Sequence, residues 1–72
     1  MSPRVRRMTA REVEAILTLH RFHLVSQRGS HRKWRNQDLR LQVIVPEHRG
    51  RPLPIGTLRN ILKNAEIPES QW

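Results

Sequence analysis

With 72 residues and no cysteine, the chain reads as one small domain without disulfides or thiolate metal ligands. A chain of this size buries only about 60% of its unfolded surface, so its core must come from Leu, Ile, Val, Phe and Trp. Fourteen Lys and Arg against six Asp and Glu give a net charge of +8. The excess is mostly arginine, which binds phosphate in bidentate fashion, so nucleic acid is the first-choice partner and an acidic protein the second. No run is apolar enough to cross a membrane and the start carries no leader pattern, so a cytoplasmic protein without a membrane partner is expected.

Residues 1–8 contain Arg4, Arg6 and Arg7 and read as a basic arm, with Met8 placed to staple onto the first helix. Thr9 and Glu12 form a capping-box pattern, and Ala10, Val13, Ile16, Leu17 and His20 recur on one helical face. Arg11, Glu12, Glu14 and Thr18 are then expected to face solvent, and the helix to end near His20 or Arg21. From Phe22 the period changes to two: Phe22, Leu24 and Ser26 should point one way, and His23, Val25 and Gln27 the other. Arg28-Gly29-Ser30 breaks the run as a tight turn. The returning strand, His31 to Arg35, puts His31, Lys33 and Arg35 on one face and Arg32 and Trp34 on the other, with Trp34 the core residue.

A second turn is expected at Asn36-Gln37-Asp38. A third strand comes next, with Leu39, Leu41, Val43 and Val45 inward, ending at Pro46. Glu47 to Pro54 reads as a polar loop. A last helix starts between Pro54 and Thr57, buries Leu58, Ile61, Leu62 and Ala65, and is stopped by Pro68. Gly56 at its start suggests close backbone packing, and residues 68–72 a short tail. The order helix-strand-strand-strand-helix predicts an α+β fold, a three-stranded antiparallel sheet with two helices on one face, the topology of double-stranded-RNA-binding domains.

Three motifs stand in that frame: Gly29-Ser30-His31, Val43-Ile44-Val45-Pro46-Glu47-His48, and Gly56-Thr57-Leu58-Arg59 leading into Ile61-Leu62. Together they resemble the HicA toxins, the YcfA-like mRNA interferases of HicA/HicB toxin–antitoxin pairs, over residues 9–67. The resemblance implies a double-stranded-RNA-binding-like fold that cleaves mRNA, and a HicB-type antitoxin that neutralises it. It also implies that His31 is the catalytic histidine and Gly29 the motif glycine; His48 corresponds to the second histidine, a possible secondary site residue. The Arg-rich start and the tail ending in Trp72 depart from the family pattern.

Metal-free RNA cleavage needs a base for the 2′-hydroxyl proton, a neutraliser of the charged phosphorane and an acid for the leaving 5′-oxygen. An imidazole titrates near neutral pH and suits the first task, so His31 is the candidate base. Arg28, Gly29, Ser30, Arg32, Lys33 and Arg35 are the candidate RNA contacts, and the acid is left open among His48, a lysine, an arginine and water. His20 reads as a core or edge histidine and His23 as a surface or interface one. The four histidines show no metal-ligand spacing, so neither a metal nor a small-molecule cofactor is expected. Two readings compete with the nuclease: a non-catalytic RNA-binding module of the same fold, and an interaction domain with a basic face covered by an acidic partner.

Overall fold

The computed structural model describes residues 6–72; Arg4 and the outer part of the basic arm lie outside them. The elements run α1 (Ala10–Leu19), β1 (His23–Arg28), β2 (His31–Asn36), β3 (Leu41–Pro46) and α2 (Ile55–Asn64), followed by a 3₁₀ turn at Glu69–Gln71. The strands form an antiparallel meander in the order β1-β2-β3, and both helices pack against β3, giving the α+β arrangement expected from the sequence.

Local chemistry explains the element ends. At the start of α1 the Thr9 hydroxyl accepts from the Glu12 amide at 3.3 Å, and the Glu12 carboxylate accepts from the Thr9 amide at 3.1 Å. Met8 is fully buried, and its carbonyl accepts from the Leu53 amide at 2.7 Å. The packed domain therefore begins one residue inside the segment that reads as an arm.

Both helices end in the same way. The Phe22 amide donates to Leu17 O and the Arg21 amide to Thr18 O; the Ile67 amide donates to Leu62 O and the Glu66 amide to Lys63 O. These are Schellman motifs, which place one residue in the left-handed region, here Arg21 (φ 67°) and Glu66 (φ 56°). Phe22 and Ile67 then turn back into the core, so Phe22 belongs to the helix cap and does not open the strand alternation.

Three other expectations are corrected by the structure. First, β1 does not alternate evenly: Leu24 pairs with Trp34 but Ser26 with Lys33, which leaves Val25 as a bulge. The turn holds Arg28 opposite His31 and Ser26 opposite Lys33, and the extra residue returns Leu24 to the Trp34 face. Leu24 and Ser26 thus point to opposite faces.

Second, β3 begins at Leu41, and Leu39 is 59% exposed. Buried Asn36 lengthens the turn: its carbonyl oxygen accepts from the Leu39 amide and its amide donates to His20 O, both at 3.0 Å. Third, a Cβ at Gly56 meets nothing within 4 Å, so no close approach within the fold requires glycine there.

The core is built by Met8, Val13, Leu17 and Phe22, by Val43 and Val45 of β3, and by Leu58, Ile61 and Leu62 of α2; Trp34 and Trp72 pack on its rim. β1 contributes nothing buried.

Candidate functional site

The site starts at the β1–β2 turn. Gly29 occupies the first of the two turn positions with φ 55°, where a type II′ hairpin favours glycine. A Cβ there meets nothing within 4 Å, so its backbone angle, not space, explains the glycine. The Gln27 side-chain amide donates to Gly29 O at 3.2 Å, and Ser30 O accepts from the Glu47 amide at 2.6 Å. The second bond ties the turn to the loop between β3 and α2.

His31 and Arg28 flank the turn as cross-strand partners, and Lys33 and Ser26 form the next pair on the same outer face. With Ile44 of β3 these four line one shallow depression. Arg35 lies one row further, opposite His23 and Gln42, and does not line it.

Arg32 faces the helices. Its guanidinium bonds the Glu14 carboxylate at 2.7 Å and lies 3.6 Å from Glu47. The other Glu14 oxygen accepts from the Trp34 indole N–H at 2.8 Å. Glu14, expected to face solvent, is buried, because the acceptor serves two donors that β2 directs inward. Its spacing carried the signal: Ala10, Val13, Glu14 and Leu17 are one continuous helical stripe.

His48 does not line the His31 depression. It lies with Ser30, Glu47, Arg49 and Arg51 in an adjoining one, which continues past Arg51 to Arg7 and Ile55. His20 is structural: its ring nitrogen is 2.6 Å from the Gln71 side-chain oxygen. His23 is exposed. Among the described residues no three His, Asp or Glu gather as a metal site, and no helix is long and apolar enough to cross a membrane.

These positions give the molecule two unlike poles. The β1–β2 turn, the β3–α2 loop and the N-termini of both helices share one pole, where a bridge joins Thr9 to Pro52. Arg7, Arg28, Arg49 and Arg51 project there with no carboxylate within 4 Å among the described residues. The positive ends of both helix dipoles add to that charge. The opposite pole holds the α1 C-terminus and the β2–β3 turn, where Leu19 and Leu39 are exposed. The pole that carries His31 therefore has a positive potential that attracts anions.

A family model described as the HicA toxin of bacterial toxin–antitoxin systems matches residues 10–67, nearly the whole described domain. The chain belongs to the HicA toxin family. As a HicA-family protein it is a toxin of a toxin–antitoxin system, a family generally of the ribonuclease type, and an antitoxin partner follows from membership. A search of curated proteins found no significant match.

Proposed function

We propose that this HicA-family protein is a metal-independent endoribonuclease that cleaves mRNA in the cytoplasm and arrests translation and growth until a HicB-type antitoxin binds it. One observation carries the reading: His31, Arg28 and Lys33 line a single depression at the basic pole. In this mechanism neutral His31 takes the proton of a ribose 2′-hydroxyl, and the 2′-oxygen attacks the adjacent phosphorus. Arg28 and Lys33 neutralise the charge that builds on the phosphorane oxygens. The P–O5′ bond breaks, leaving a 2′,3′-cyclic phosphate on one fragment. The 5′-oxygen takes a proton from Lys33 or water and becomes a 5′-hydroxyl on the other. His48, in the adjoining depression, holds substrate rather than delivering that proton. No metal or small-molecule cofactor enters these steps.

The test is induced expression of the wild type and of His31→Ala, with and without an antitoxin, together with end-group analysis of RNA cut in chelator. Growth arrest by the wild type alone, with cyclic phosphate ends, is expected. Equal arrest by His31→Ala, or 5′-phosphate ends that need a metal, rules the mechanism out. Tight RNA binding without cleavage leaves the non-catalytic RNA-binding module.

A further inference from the structure

The groove next to the His31 depression has no part in the bond-breaking steps, yet it is lined by arginines that pair with no carboxylate among the described residues. Its walls are Ser30, His48, Arg49 and Arg51, and it runs on past Arg51 to Arg7. Glu47 also lines it, but its carboxylate is occupied: one oxygen accepts from the His48 and Gly50 amides at 3.1 and 3.2 Å, and the other faces Arg32 at 3.6 Å. The groove is therefore an arginine surface whose one acidic residue is already satisfied.

Ser30 lines this groove and is the residue immediately before His31. The bond from the Glu47 amide to Ser30 O at 2.6 Å holds the two depressions side by side. We infer that the groove is a second substrate subsite, which holds the phosphates of a single RNA strand flanking the one that is cleaved. Arg49 and Arg51 bind those phosphates, and His48 lines the groove beside them. The inference rests on the RNA-cleaving reading of the His31 depression and adds a path and a minimum length to its substrate. Dinucleotides reach only the His31 depression; longer strands fill both.

Backbone geometry supplies an unusually clean test. Arg49 (φ 54°) and Arg40 (φ 55°) are both left-handed arginines, one in the groove and the other in the β2–β3 turn at the opposite pole. Replacing either by glycine removes one positive charge and relaxes the backbone, so neither change threatens the fold. Binding of a labelled RNA oligonucleotide is measured by fluorescence anisotropy across a salt series. The proteins are His31→Ala, His31→Ala/Arg49→Gly and His31→Ala/Arg40→Gly, so binding is read whether or not the wild type cleaves.

A several-fold loss for the Arg49 variant is expected, with a log–log salt slope shallower by about 0.7, the value for one phosphate contact on a single strand. The Arg40 variant should match its His31→Ala parent. Equal losses in both variants reduce the groove to general basic charge, and no loss in either leaves it outside RNA binding; each result overturns the subsite. Cleavage kinetics add a second arm with active protein: Arg49→Gly should raise KM for the oligonucleotide, leave kcat intact, and leave dinucleotide cleavage unchanged. Equal KM effects on both substrates refute the second subsite, whereas absence of any cleavage refutes only the nuclease reading.

Discussion

Glu14 of α1 and Arg32 of β2 meet at 2.7 Å across the helix–sheet interface, and the second Glu14 oxygen takes the Trp34 indole N–H. One buried carboxylate thus fixes the strand that carries His31 on its other face. Removing it leaves the Trp34 indole N–H without its acceptor and the Arg32 guanidinium with Glu47 alone. Glu14→Ala is expected to cost about 1–2 kcal/mol, since the part-buried indole N–H loses its acceptor and Arg32 its shorter ion pair. Urea unfolding followed by tryptophan fluorescence measures this, and Trp34 reports the change directly.

The same pair separates two neighbouring cations by role. Arg32 points to Glu14 and Lys33 into the His31 depression. Arg32→Ala should lower the urea midpoint and leave the salt dependence of RNA binding unchanged. Lys33→Ala should do the reverse, keeping stability and making the salt slope shallower by about 0.7. Equal effects of the two changes on RNA binding would place Arg32 on the substrate face after all.

The parts of this fold that were legible in the sequence are those set by near neighbours. Thr9 and Glu12 cap each other across three residues, Gly29 marks the turn, and the alternation after it separates Trp34 from His31. What escaped was set by distant residues. Glu14 stands on the buried stripe of α1, but a carboxylate there reads as solvent-facing because the donors that bury it stand 18 and 20 residues away in β2. The Val25 bulge arises from pairing with β2, which a local alternation does not show. Leu39 reads as a strand residue because the Asn36 side chain that holds its amide in the turn is itself fixed by His20 O, 16 residues away. The same limit applies to the site: His31 and its turn stand out in the sequence, whereas the separation of His48 into another depression depends on how the Glu47 loop docks on Ser30.

The two helix caps predict stabilising changes. Arg21 and Glu66 both hold left-handed angles that a side chain adopts at a cost of about 1 kcal/mol. Arg21→Gly and Glu66→Gly should each recover up to about 1 kcal/mol, because the Schellman bonds are backbone bonds and survive the change. In a domain of this size that corresponds to a rise in Tm of about 4–8 °C per kcal/mol. Arg21 also stands 3.9 Å from Asp38, both well exposed, a pair too weak to reverse the gain. Unfolding by circular dichroism for each single variant and the double checks this, and additivity is expected since the two caps share no hydrogen bond.

Trp72 ties the end of the chain to the core. Its indole N–H donates to Ile67 O at 2.9 Å, and its ring packs on the rim of the core. Gln71 beside it meets His20, so the 3₁₀ turn straps α2 to the end of α1. Trp72→Ala removes a large but only partly buried apolar surface, with an expected loss of about 1–2 kcal/mol, below that of a fully buried aromatic. Trp72→Phe keeps an aromatic ring on the rim while losing the hydrogen bond, and should recover most of that. RNA cleavage by the folded Trp72→Ala protein should equal that of the wild type, because the strap lies away from the His31 depression. A fall in kcat at a temperature where the variant remains folded would show instead that the strap carries position to the site.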